Sequence, residues 1–292
     1  MIKNYIYTQL ACEMAQTAKP SSADDVEYSS KNVYGFDIAC MEVKTKKGEE
    51  CSGAKTGKYS TVYFSKISNM DDKQKENLVL AVSAEIKSLM TKESKSILVA
   101  GLGNKYLTSD SIGPKCVSKL NVTRHISIYE SDIFKTLNTQ TISALAPGVL
   151  SQTGIESAEI FKGTASITRP DTVIIVDSLC ARAPERLAST IQISNTGLTP
   201  GSGVGNKRHT IDENTLGCSV ISIGIPTVVS SSTLVYDALS KSGLEQFGDE
   251  MEKILENGRS FYVTLNEIDE ITDILSEILS RAIYDSAQIY IE

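Results

Sequence analysis

Asp110 and Asp177 are the two residues on which chemistry can be built, one inside "ILVAGLGNKYLTSDSIGPK" (97–115) and one closing "DTVIIVD" (171–177). Asp110 falls in the loop after a strand expected at 96–100, and Asp177 is read as the last residue of a strand at 172–177. In an open parallel sheet the site lies beyond the carboxyl ends of the strands, where loops converge, so two acids from distant sequence can meet at one edge. Two carboxylates held close cannot both ionise easily, and one keeps its proton near neutral pH. The ionised member can then take a proton from water while the protonated one polarises a carbonyl, which suffices for amide hydrolysis. The plainer readings stay open on these residues alone: a helix cap for Asp110 and a strand-end hydrogen-bond acceptor for Asp177.

Other motifs offer less. "GLGNKY" (101–106) lacks the third glycine of a dinucleotide fingerprint, and no acid after a second strand is placed to hold a ribose. "GSGVGNKR" (201–208) has Lys207 but no Ser or Thr behind it and does not join a strand to a helix as a phosphate loop must. Gly201, Gly203, Gly205 and Asn206 are read instead as the stretch where the main chain of a bound peptide approaches closely, with backbone donors to steady a developing oxyanion. Only two histidines exist; His125, in "NVTRHISIY", is read as part of a strand carrying a packing or surface imidazole rather than as a catalytic base. Cys180, three residues past Asp177, is read as a small buried hydrophobe. The six cysteines show no Cys-x-x-Cys spacing and only two histidines accompany them, so a zinc site of the usual kind has few ligands available, and the cysteines read as reduced intracellular thiols.

The elements that must hold the acids follow from the hydrophobic pattern. "SILVAG" (96–101), "DTVIIVD" and "SVISIGIP" (219–226) are unbroken apolar runs, the signature of parallel strands covered on both faces. Helical spacing over 73–90, 233–243 and 267–287 supplies the cover, the last with Ile271, Ile274, Leu275, Ile278, Leu279 and Ile283 on one side. Residues 16–33 are polar and read as a loose connection, and 34–43 with 58–67 as a long-looped β-hairpin. The expected fold is α/β, a mostly parallel sheet flanked by helices with an added N-terminal β-hairpin at 34–67, in one domain over 1–292. A net charge of −7, with no basic run longer than "KTKK", argues against direct nucleic-acid binding. The longest apolar stretch, near 220–229, is too short to span a bilayer, and a cytoplasmic protein is expected.

Taken together, "VAGLGNKYLTSDSIGPK", "SALAPGVLSQTGIES" (143–157), "IVDSLCARAPERLASTIQISNTGLTPGSGVGNKR" (175–208) and "LGCSVISIGIPTVV" (216–229) resemble the germination protease family of spore-forming Firmicutes, atypical aspartic peptidases. The resemblance covers most of 97–229, with weaker echoes in the N-terminal hairpin and in "EQFGDEM" and "YVTLNEIDEI". It implies a homotetrameric endopeptidase of the forespore and spore core, with no cofactor, that degrades small acid-soluble spore proteins at germination. It places the essential aspartates at Asp110 and Asp177 and implies a phosphorylase/hydrolase-like fold similar to the hydrogenase maturation peptidases, in which the corresponding acids grip nickel. It further implies a zymogen that clips itself between Gln9 and Leu10 of "YTQLACEMA", leaving 1–9 as a short pro-segment; Gln9 stands where the family has an acid. Ser230 replaces an aspartate usual after "PTVV", and Cys180 an alanine, which speaks against a thiol nucleophile. The alternatives carried beside this reading are a metal-recognising maturation-type peptidase of the same fold and a catalytically silent regulatory homologue.

Overall fold

In the computed structural model, which describes residues 7–19, 21–91, 93–199, 210–244, 247–258 and 261–289, the unbroken apolar runs form the centre of one nine-stranded sheet. In chain order the strands are β1 (Val26–Val33), β2 (Phe36–Val43), β3 (Gly57–Tyr63), β4 (Ser96–Gly101), β5 (Thr141–Leu145), β6 (Thr172–Ala181), β7 (Thr190–Ser194), β8 (Ser219–Ser230) and β9 (Tyr262–Val263). They are arranged β1-β2-β3-β7-β8-β6-β4-β5, with β9 pairing β8. The pairs β4 with β5, β4 with β6 and β6 with β8 are parallel, and the β1-β2-β3-β7-β8 wing is antiparallel. The expected hairpin is therefore present as β2 and β3, and it extends the main sheet through β7.

The helices are α1 (Ala11–Thr17), α2 (Lys46–Ser52), α3 (Asp72–Leu89), α4 (Ile112–Lys119), α5 (Arg124–Tyr129), α6 (Ser131–Thr136), α7 (Leu150–Thr153), α8 (Ser157–Thr168), α9 (Glu213–Leu216), α10 (Ser231–Lys241), α11 (Asp249–Gly258) and α12 (Ile268–Ser286). On one face of the sheet, Ile97, Val99, Ile174, Val176, Ile221 and Ile223 pack with Leu78 and Val82 of α3 and Leu275 and Leu279 of α12. On the other, Leu98, Ala100, Val173 and Ile175 pack with Ala158, Phe161 and Ala165 of α8. Alternate residues of the central strands thus enter different cores, which is why these strands read as continuous apolar runs. The start of α3 is fixed by a capping box in which Asp71 accepts from Gln74 N–H and the Gln74 side chain accepts from Asp71 N–H.

Three local expectations are corrected. Residues 26–33, read as part of a loose connection, form β1; as the sheet's edge strand it is exposed over most of its length and carries no apolar alternation. The region of "NVTRHISIY" is helical in α5, and His125 is exposed there; so short and poorly covered a helix leaves no 3.6-residue stripe. β6 does not stop at Asp177 but runs on to Ala181 beside an equally long β8. α2 also occupies the β2–β3 connection, started by Thr45 accepting from Gly48 N–H and ended by Gly53 at φ +76°.

Candidate functional site

The site arises where neighbouring strands end at different heights. β4 pairs with β6 up to Gly101 opposite Val176, and Leu102 N–H still donates to Val176 O at 2.9 Å. Asp177 is the first β6 residue beyond that pairing, so β4 no longer flanks it on one side, while on the other it pairs with Gly224 of β8. Past Gly101 the chain turns through Gly103, at φ +112°, into a 3-10 turn, Thr108–Asp110, that packs against β6 and β8. A Cβ at Gly103 would stand 2.0 Å from the Asp110 carbonyl oxygen, so the close approach of this loop to Asp110 requires glycine.

Asp110 and Asp177 line one cavity of about 570 Å³ at this edge. Asp177 is buried and Asp110 half-buried. Asp110 Oδ2 accepts from Asn104 N–H at 2.9 Å, and Asp177 Oδ1 from Ser178 N–H at 2.9 Å. The Asp110 turn is tied down twice more. Thr227 of β8 donates its hydroxyl to Ser109 O at 2.6 Å, and Asn104 Oδ1 accepts from Tyr106 N–H at 3.0 Å and from Gln152 Nε2 at 2.9 Å, joining the turn to α7.

The remaining wall carries residues that sequence reasoning did not assign to the site. Asn104, Ser178, Thr227, Tyr262 and Thr264 all line the cavity. Ser178 Oγ is buried without a hydrogen-bond partner among the described residues, a state that a bound polar group would relieve. Asn104 and Thr264 lie within "GLGN" and "YVTLNE", stretches already singled out, but no type or spacing rule marks them.

Gln9 also lines this cavity. Its N–H donates to Cys180 O at 2.9 Å, and its side-chain oxygen accepts from Cys180 N–H at 2.8 Å. Its carbonyl accepts from Gln192 Nε2 at 3.1 Å, and Leu10 N–H donates to Thr8 Oγ1 at 3.0 Å. Leu10 itself is fully buried with Leu179, Ala181, Leu187 and Val229. The buried Glu13 carboxylate completes the anchorage, accepting from Thr8 Oγ1 and from the N–H groups of Arg182 and Ala183 at 2.8 and 2.9 Å.

Cys180 lines the cavity, but burial pushes its thiol up to about 12, so it stays protonated and poorly nucleophilic at neutral pH. All six cysteines are free. Gly201, Gly203, Gly205, Asn206 and His209 lie outside the described residues. Among the described residues, no group of three or more His, Cys, Asp or Glu side chains is placed to hold a metal ion, and no helix is long and apolar enough to cross a membrane.

A mixed sheet whose central strands are parallel and covered on both faces, with a cavity where β4 ends beside the longer β6 and β8, defines an α/β protein with room for a ligand at that step. Comparison with known proteins gives the family. The profile described as germination protease matches residues 7–283. The chain is 37% identical over 270 residues to the germination protease of Clostridium perfringens, covering 91% of this chain and 81% of that one. It is 39% identical over 254 residues to that of Bacillus subtilis, covering 82% and 68%. The chain belongs to the germination protease family, and is by that membership a peptidase. A more distant structural likeness, at 16% identity and a TM-score of 0.35, is to a NiFe hydrogenase maturation protease from Thermococcus kodakarensis, covering 67% of this chain and 98% of that one.

Proposed function

We propose that this chain is an aspartic-type endopeptidase that begins the degradation of small acid-soluble spore proteins at germination. The observation that carries the mechanism is that Asp110 and Asp177 line one cavity at the step between β4 and β6. In this reading the pair shares one proton and titrates as a unit. The ionised carboxylate takes a proton from water as its oxygen attacks the peptide carbonyl, and the protonated carboxyl hydrogen-bonds the carbonyl oxygen as it gains charge. Collapse of the tetrahedral intermediate breaks the C–N bond, the leaving amine takes up a proton, and the pair returns to its singly protonated state. Gly201, Gly203, Gly205 and Asn206 hold the substrate's main chain and supply donors to the oxyanion. The protein works as a homotetramer in the spore core.

Self-cleavage between Gln9 and Leu10 belongs to the same proposal. That peptide's carbonyl accepts from Gln192 Nε2, its N–H donates to Thr8 Oγ1, and Gln9 lines the cavity that holds the acids.

The test is to incubate purified protein with a small acid-soluble spore protein, with and without a chelator, and to read fragments and N-termini by mass spectrometry. Discrete internal cuts indifferent to chelation are expected, together with a new terminus at Leu10 that is absent from the Asp177→Asn variant. Absence of cleavage, or cleavage abolished by chelation and restored by added metal, would overturn the reading.

A further inference from the structure

Where β4 stops, β6 is left with a free edge. In a strand the N–H and C=O of one residue point to the same side and those of the next residue to the other, so alternate residues of β6 face β8 and the side that β4 occupies. Val176 O accepts from Leu102 N–H at 2.9 Å, which puts Val176 on the β4 side and, by alternation, Ser178, Cys180 and Arg182 with it. Past Leu102 the partners on this side come from elsewhere. Cys180 O accepts from Gln9 N–H at 2.9 Å, Cys180 N–H donates to Gln9 Oε1 at 2.8 Å, and Arg182 N–H donates to Glu13 Oε2 at 2.8 Å. Ser178 lies between Leu102 and Gln9 in this row. Its N–H turns to the side chain of its own neighbour, Asp177 Oδ1, at 2.9 Å, and among the described residues its carbonyl accepts from no side chain, loop or turn.

Leu102, Ser178, Cys180 and Gln9 all line the cavity that holds the acids, so that cavity covers the stretch of edge between the end of β4 and Gln9. A strand edge with open main-chain groups is a template for another extended segment. This edge already carries one: Gln9 pairs with Cys180 through its own N–H, and Leu10 beside it is extended, at φ −87° and ψ 121°. A peptide added at Ser178 would lie with its amide planes close to the plane of the sheet, whereas the Asp177 side chain stands off the face. A water held by that carboxylate would then reach the carbonyl carbon from above the amide plane, the direction from which a nucleophile adds.

We infer that the substrate binds as a short added strand on this edge of β6, one of its main-chain N–H groups donating to Ser178 O, so that the site takes polypeptide in extended form. The inference rests on the peptidase reading of the cavity and adds the conformation that is selected and the main-chain atom that selects it.

The experiment uses the full chain and a peptide spanning a bond that it cuts in a small acid-soluble spore protein. The peptide is resynthesised with one main-chain amide at a time replaced by an ester over three residues on either side of the cut, the cut bond itself staying an amide. Each ester removes one N–H and leaves every side chain in place. Loss of the bond to Ser178 O is expected to lower kcat/KM about tenfold, mainly through KM, at one position. The residues immediately before and after that position, whose N–H groups point away from β6, should change by less than about twofold. Losses below about twofold at every position, or equal losses at adjacent positions, overturn the inference. Asp177→Asn separates the two readings: if it cuts the all-amide peptide at the parent rate the acid pair fails, whereas the pattern among the esters is read in the parent and is independent of it.

Discussion

Changing either Asp110 or Asp177 to asparagine is expected to lower kcat/KM for peptide cleavage by on the order of 10³-fold or more, about 4 kcal/mol of transition-state stabilisation. Asparagine matches aspartate in size and keeps a carbonyl oxygen able to accept from Asn104 N–H or Ser178 N–H, so the local hydrogen bonds survive. What it removes is the ability to take or give a proton. If the two acids act as one unit, as proposed, the double variant should fall little further than either single one. Steady-state kinetics on a spore-protein substrate, with unchanged thermal melting as the control for folding, measures this. A rate near the parent's in both single variants would remove the acids from the mechanism.

The second large effect concerns what brings the Asp110 turn against the strands. α4 follows that turn at once and packs on the ends of β4 and β6 through Gly113. A Cβ at Gly113 would lie 2.2 Å from Leu102 O and 2.6 Å from Val176 O, both main-chain atoms that cannot rotate away. Gly113→Ala is therefore expected to destabilise the protein by roughly 3 kcal/mol or more, lowering Tm by roughly 5–10 °C, and to depress activity beyond that by shifting Asp110 away from Asp177. Gly163, in the middle of α8 with nothing within 4 Å of its added Cβ, supplies the contrast. Gly163→Ala should be neutral or stabilising by up to about 1 kcal/mol. Equal melting temperatures for the two variants would show that α4 does not need its close approach.

The sequence made the central sheet legible because β4, β6 and β8 are apolar on both faces, and α3 and α12 because each carries a buried stripe. Hydrophobic pattern reports burial, and it failed where burial is slight: the exposed edge strand β1 and the thinly covered α5. A local signal for β1 was available in the two-residue turn at Tyr34 and Gly35, both at positive φ. Asp177 was misread as a strand end because an ionisable group inside a buried strand breaks the apolar run. β6 tolerates it because β4 has already stopped and a cavity receives the carboxylate. Asp110 and Asp177 were singled out from residue type and position, but the rest of the wall of the cavity they line was not. Gln9 reads in the sequence as part of a cleavage motif, and its double attachment to Cys180 depends on folding that brings α1 beside the end of β6.

The most direct test of the shared proton is the pH dependence of kcat/KM for the parent and both asparagine variants. Two coupled carboxyls lose the base when both are protonated and lose the acid when both are ionised, so the parent profile should be a bell with two ionisations belonging to the pair. The residual activity of either variant should lack one limb of that bell. A parent profile governed by one ionisation and still rising into the alkaline range, with the same shape in both variants, would contradict the account.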